Sequence, residues 1–250
     1  MNISVIYEDK DMLAVNKPAG ISVHPDGRTQ EPTLSDWVLE TYPEIKDVGE
    51  PIKLSHGLSA ALRPAQAGGE IQKHGIVHRL DRDTSGVMVI AKNQEAFLFL
   101  KKQFQERLVK KTYKAIVYGR MKNETGVIDA PIGKSRGDFR QWSAEKNARG
   151  KLREAETEYK VIKTTPDYSY VTLYPKTGRT HQIRVHLKSI GHPVLCDKLY
   201  AAKRLCPGNL TRMALHAFSI CITSPQGALL SIEAPPPEDF ESALAELDLL

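Results

Sequence analysis

Cysteine is scarce in this sequence: Cys196, Cys206 and Cys221 are the three in 250 residues, an odd number with no C-x-x-C spacing. That pattern predicts neither a disulfide framework nor a cysteine-ligated zinc site, and it fits a reducing cytoplasm. Long apolar runs are missing as well, with nothing near the roughly 18 residues that would span a bilayer. The opening MNISVIYEDKDMLAVNKP mixes acids with bases and lacks the apolar core and small-residue cleavage site of a signal or transit peptide. Absent too are a G-x-x-x-x-G-K-S phosphate loop, a G-x-S-x-G elbow and an H-E-x-x-H pair, while His181 and His186 fall on different sides of a helix. These absences set aside nucleoside-triphosphate, serine-nucleophile, metal-dependent and membrane-spanning classes.

Charge is present and unevenly placed. The net charge is +5, with Lys and Arg gathered in 101–114, 134–153 and 176–204, whereas 231–250 holds six acidic residues and no basic one. Clustered cations near glycines and aromatics suit a polyanionic partner, although any one cluster is also what a solvated surface looks like. Strands are predicted at ISVIYED and MLAVNKP, ending at the Lys17-Pro18-Ala19-Gly20 turn, then at VMVIAK, KTYKAIVYG, TEYKVIK, YSYVTLYP, ALHAFSICITSP and ALLSIEAP. Helices are predicted after Thr33 and Ser35 around Trp37, after an Asn93 cap with Ala96, Phe97, Leu100, Phe104 and Leu108 on one face, and from near Thr180 with Ile183, Leu187 and Ile190 on one face. An acidic helix is expected over 237–250. Residues 49–75 show no period and are expected to be a mobile loop, and the Gly- and Arg-rich 133–153 an exposed arm. With no internal repeat or linker, the expectation is a single α+β domain over 1–250, its core about 3–235, with a largely antiparallel sheet flanked by helices and loops.

Three segments stand apart: H-R-L-D-R-D-T-S-G at 78–86, K-T-Y-K-A at 111–115 and G-R-T-H-Q-I-R-V-H-L at 178–187. Taken singly, each has an ordinary reading. The first could be a salt-bridged turn before a strand, Tyr113 a core aromatic, and Arg184 a solvated helix arginine. Together and in this order they resemble the RluA/RluD-type pseudouridine synthases. The resemblance runs from VIYEDKDMLAVNKPAGISVHP through IVHRLDRDTSGVMVIAK and KTYKAIVYG to GRTHQIRVHLKSIGHPVLCDKLY and RMALHAFSICITSP, about residues 3 to 235.

What the resemblance implies is an enzyme that breaks the N1–C1′ bond of uridine in ribosomal or transfer RNA, turns the base and forms a C5–C1′ bond. No electron or phosphate is exchanged, so no cofactor or metal is expected. Asp81 matches the family's catalytic aspartate, whether it attacks C1′, adds to C6 or takes the C2′ proton. Arg184 matches the arginine that pairs with that aspartate, and a nearby guanidinium favours an ionised carboxylate and fixes its direction. Tyr113 matches the tyrosine packed on the target base, and Arg79 the arginine that fills the space left by the flipped nucleotide. Lys17, Arg179 and His181 are expected to face RNA or support these groups, and Asp83 to cap its turn. Cys196 stands where relatives often have Gly. Many relatives carry an S4-type module ahead of the catalytic domain, whereas this chain is expected to begin with that domain. A monomer with no obligatory protein partner is expected.

Overall fold

The computed structural model describes residues 1–25, 31–53, 70–138, 140–145 and 148–250. They form two compact units, one of Met1–Val109 with Cys221–Ala234, the other of Lys110–Ile220 with Pro235–Leu250.

In the first unit, strands β1 (Ser4–Glu8) and β2 (Met12–Lys17) form a hairpin over the acidic turn at Asp9, whose carboxylate accepts the N–H groups of Asp11 and Met12 at 2.8 Å. Helix α1 (Leu34–Thr41) begins with a capping box between Thr33 and Asp36, which satisfies otherwise unpaired N–H groups of the first turn. Residues 49–75 are not wholly irregular: β3 (Pro51–Lys53) and β4 (Glu70–Gln72) pair antiparallel, and the mobile-loop expectation for what lies between falls on 54–69, outside the described residues. Strand β5 (Ser85–Ala91) pairs antiparallel with β2, Leu13 opposite Ile90 and Lys17 opposite Gly86. Every residue of β5 is buried, which is why its sequence is a continuous apolar run and not an alternation. Asn93 caps helix α2 (Gln94–Gln105), accepting the Ala96 N–H at 2.9 Å. Ala96, Phe97 and Leu100 are buried as the spacing predicts. Leu108 is not on that face: the helix has ended, Arg107 takes φ +60°, and Leu108 is exposed.

The second unit is built on β6 (Lys110–Tyr118), β7 (Thr125–Asp129), a small sheet of β8 (Ile132–Lys134), β9 (Trp142–Ser143) and β10 (Arg149–Arg153), then β11 (Glu156–Thr164) and β12 (Tyr168–Pro175). Strands run in the order β6-β12-β11-β7, all antiparallel, with Tyr113 opposite Leu173. Helix α3 (Gln182–Ser189) buries Ile183 and Leu187 against this sheet, while Ile190 is its exposed cap. Strand β13 (Leu215–Thr223) begins in this unit and ends in the first, to which the turn at Ser224–Ala228 and β14 (Leu229–Glu233) belong. Helix α4 (Glu238–Glu246) follows, with Glu238, Asp239 and Glu241 in its first turn, where the helix dipole favours acids. Its Phe240, Ala243 and Leu244 join the core of Ile116, Val171, Leu173, Leu187 and Leu215. The α+β class with a largely antiparallel arrangement is as the sequence predicts.

The cysteines depart from expectation. Cys196 and Cys206 are joined in a disulfide with Cα atoms 4.9 Å apart, and Cys221 is free. Sequence spacing could not show this, because the pair is made by the turn that returns the 204–210 segment to Cys196. Cys196 also takes φ +58°, the left-handed conformation that glycine adopts most easily.

Gly75 fixes the entry to β5. Its N–H donates to Val48 O and its carbonyl accepts the Ala91 N–H, both at 2.9 Å, its φ is +73°, and a Cβ there would run into the Ala91 carbonyl oxygen. Gly75→Ala should therefore lower unfolding free energy by roughly 2–4 kcal/mol, read from urea unfolding; a change below the error of that measurement would show that the turn relaxes freely.

Candidate active site

In the first unit, Asp81 occupies the first position of a tight turn whose carbonyl accepts the Thr84 N–H at 3.1 Å. Leu80 before it and Thr84 and Ser85 after it are buried, so the half-buried Asp81 is held between two anchored points and its turn opens directly into the wholly buried β5. Arg79 is exposed beside it. The turn is tied to the K-P-A-G segment by a reciprocal pair of hydrogen bonds, one between backbones and one from a side chain: Gly20 N–H donates to Arg82 O and Arg82 Nε donates to Gly20 O, both at 2.9 Å.

Lys17, expected to face RNA or to support the site, is wholly buried. Its Nζ donates to the carbonyls of Pro18, Ile21 and Arg82 at 2.8, 2.9 and 3.0 Å. A buried ammonium is costly unless its donors are satisfied, and here they are spent on three backbone carbonyls of two loops. Lys17 therefore fixes the Asp81 turn from behind. His78 is likewise internal, its Nε2 accepting the Val89 N–H at 2.9 Å and its ring stacked on Phe104 at 4.5 Å between centroids. Asp83 is exposed, and no cap by its carboxylate is found among the described residues.

His24, of the V-H-P that follows K-P-A-G, was not among the expected site residues. Its Nδ1 is buried without a hydrogen-bond partner among the described residues, and burial, with the positive Arg79, His74 and Lys73 nearby, pushes its pKa down to about 4. It is a neutral imidazole at neutral pH.

In the second unit, Tyr113 lies half-buried on β6, its ring against the core. Arg184 on α3 is almost wholly buried and gripped at two points by Asp197, Nε to Oδ2 at 2.7 Å and Nη2 to Oδ1 at 2.9 Å. Asp197 Oδ1 also accepts the N–H groups of Leu199 and Tyr200 at 2.9 and 3.0 Å. Asp197 thus satisfies a guanidinium and a tight turn at once. The Tyr200 ring lies under Arg184, 4.9 Å from ring centre to Cζ, and its hydroxyl meets His181 Nδ1 and the Trp142 N–H, both at 2.9 Å.

His181 caps α3 in the left-handed conformation, φ +56°, without a side-chain bond to the helix; it stands edge-on to Tyr200. The start of α3 is instead ordered by Gln182, whose Oε1 accepts from Thr177 Oγ1 at 2.7 Å and the Arg179 N–H at 3.0 Å, and whose Nε2 donates to Glu156 O and Thr157 Oγ1. Arg179 Nε donates to Glu154 O at 3.0 Å, joining the G-R-T-H loop to the base of the β10 strand. Asp197, Tyr200, Gln182 and His24 are the residues that sequence reading missed. Asp197 and Tyr200 sit in the C-D-K-L-Y of the quoted pattern, but only the fold shows that they converge on Arg184.

The Asp81 turn of the first unit and the Asp197-held Arg184 of the second each carry a positioned charged group on this α+β fold. Residues 11–189 match the family described as RNA pseudouridylate synthase, and the chain belongs to that family, of the RluA/RluD type. An uncharacterized RNA pseudouridine synthase of Synechocystis sp. (strain PCC 6803) is 34% identical over 98% of this chain and 69% of its own length. Ribosomal large subunit pseudouridine synthase D of Pseudomonas aeruginosa is 36% identical over 96% of this chain and 70% of that protein. Among solved structures, human RNA pseudouridylate synthase domain containing 4 superposes with a TM-score of 0.72 at 25% identity, covering 98% of this chain and 93% of that one. The protein is a pseudouridine synthase, an isomerase that converts uridine to pseudouridine.

Two outcomes follow from these geometries. Unfolded chain protonates His24 below its ordinary pKa near 6.5, whereas the fold holds it neutral down to about 4, so the unfolded state binds the extra proton between those values. Stability from this group is complete above pH 6.5 and is lost as pH falls toward 4, by up to about 3 kcal/mol; the half-buried His74, also pushed down by burial, adds in the same direction. Urea unfolding at pH 7 and pH 4.5 should show the loss, and His24→Leu should flatten it; equal slopes in both proteins would assign the pH dependence elsewhere. Asp197→Ala strips Arg184 of its two-point carboxylate inside the core and should cost about 3–5 kcal/mol. A loss under 1 kcal/mol in the same assay would mean that the guanidinium finds equivalent partners.

Proposed function

We propose that this enzyme modifies uridines of ribosomal RNA without a cofactor, and that Asp81 is its catalytic carboxylate. The carrying observation is the construction of the Asp81 turn. A fully buried lysine and two hydrogen bonds between Gly20 and Arg82 hold one half-buried carboxylate at the mouth of a rigid strand. Such support is what a reacting group needs, since small misplacements cost large factors in rate. Ribosomal RNA is favoured over transfer RNA because relatives in Pseudomonas aeruginosa and Nitrosomonas europaea are ribosomal large subunit pseudouridine synthases.

The reaction breaks N1–C1′, forms C5–C1′, returns a proton to N1 and releases the C5 hydrogen to solvent. Atoms and electrons balance within the substrate and water. An ionised Asp81 serves attack on C1′, addition to C6 and removal of the C2′ proton alike. In this reading Arg184 has the part that the family resemblance gives it, partner of the catalytic aspartate, and the Asp197 clamp fixes its guanidinium plane. Tyr113 offers its ring to the base while it turns, and the exposed Arg79 stacks or pairs where the nucleotide leaves its helix. Arg179, bonded to Glu154 O, and His181, bonded to the Tyr200 hydroxyl, support Arg184 from its surroundings.

The test is tritium release from ribosomal and transfer RNA labelled at C5 of uridine. Wild type should release tritium from ribosomal RNA, and Asp81→Asn should reduce release at least about 10³-fold while RNA affinity changes less than about threefold. Near-wild-type release by Asp81→Asn would remove the aspartate from the mechanism, and release confined to transfer RNA would reassign the substrate.

A further inference from the structure

The small sheet of the second unit has no account in the chemistry above. Its strands run in the order β10-β8-β9, so β10 is an edge. All five residues of β10 are exposed, and three of them, Arg149, Lys151 and Arg153, are cations. Lys134 on β8 lies opposite Arg149 in register, and Arg136 is exposed just beyond it. Arg140 does not add to this charge, because Asp138 holds its guanidinium with contacts of 2.7 to 3.2 Å. Gly150, at φ +74°, has nothing within 4 Å of where a Cβ would be, which leaves the edge backbone open to a close approach. Short strands with so little buried surface are marginal on their own terms, and like charges this dense oppose the sheet. Both costs make sense if an anion neutralises the face.

The sheet is nevertheless firmly placed. Ile132 and Ala155 at its base are buried with Val185 and Tyr200, and Trp142 packs against that cluster while its N–H donates to the Tyr200 hydroxyl. Gln141 Nε2 donates to Leu199 O at 2.8 Å. Tyr200 is the residue whose ring lies under Arg184. Lys134 Nζ stands 4.1 Å from the centre of the half-buried Trp142 ring, so an aromatic plane lies within the basic face.

Resting on the reading of this enzyme as an RNA isomerase, we infer that β8, β9 and β10 form a phosphate grip for the RNA backbone, with Arg149, Lys151 and Arg153 as its contacts, held in register with Arg184 through Tyr200. Past the left-handed Gly150, Lys151 and Arg153 stand at alternate positions, which in a strand repeat about every 7 Å, and Arg149 precedes the irregularity, so the edge can meet successive phosphates along a nucleic-acid strand. The contacts carry no base information, so the grip supplies affinity and register, not choice of uridine.

Each phosphate contact contributes roughly 0.7–0.9 to the slope of log K against log salt. We therefore compare wild type with the triple variant R149Q/K151Q/R153Q by fluorescence anisotropy, on a stem–loop RNA transcript and on oligouridine of equal length, across a salt series. The expected result is a slope shallower by about 2 to 3 on both RNAs, with the thermal midpoint unchanged. Should the triple variant unfold, Lys151→Gln alone should still remove about 1 from the slope. An unchanged slope overturns the grip. So does an unchanged RNA slope together with lost binding of polyglutamate, which would make the face a site for acidic protein. Because binding is read without turnover, a wild type that binds in this way but releases no tritium would leave the grip standing and refute the isomerase reading alone.

Discussion

Asp197 is the constraint on which the surroundings of Arg184 in the second unit depend. One buried carboxylate accepts two bonds from Arg184 and two backbone N–H bonds from the turn that follows, and so sets both the guanidinium plane and the position of Tyr200. Tyr200 passes that order on to His181 and, through Trp142, to the small basic sheet. A buried ion pair is weak evidence for stability, since desolvation offsets much of its attraction. Its worth here is directional, because a planar fork held at two points has almost no rotational freedom.

The first unit solves the same problem with a different charge. Lys17 sits in a cage of carbonyl dipoles, and those carbonyls belong to the two loops that must stay together for Asp81 to keep its place. Neutral His24 lies in the same neighbourhood as the exposed Arg79. An unprotonated imidazole there leaves the positive charge of the region on the exposed arginine.

Much of this was legible in the sequence, and the failures have physical causes. Strand and helix positions followed from periodicity and caps: Asn93 and Thr33 begin their helices as written, because capping is a local interaction. Leu108 was misplaced because a helical face is projected by spacing alone, while the chain leaves the helix at Glu106. The motif containing Asp81, Tyr113 and Arg184 was readable through resemblance, yet the partners of Lys17 and Arg184 were not. Both depend on residues distant in sequence, Arg82 and Asp197, and a burial such as that of Lys17 runs against the usual preference of its side chain. The Cys196–Cys206 link was missed for the same reason, since cysteine counting reports spacing and not the path of the loop between.

Neither unit is continuous in the chain, and this bears on how the protein is born. Phe240, Leu244 and Leu249 close the core of the second unit, but they follow a return of the chain through Cys221–Ala234 in the first. A ribosome adding about 5–20 residues per second therefore exposes Leu173, Leu187 and Leu215 for seconds before their last apolar neighbours emerge. The nascent chain has a window in which a half-finished core must be shielded, and the acidic first turn of α4 arrives just ahead of the side chains that end it.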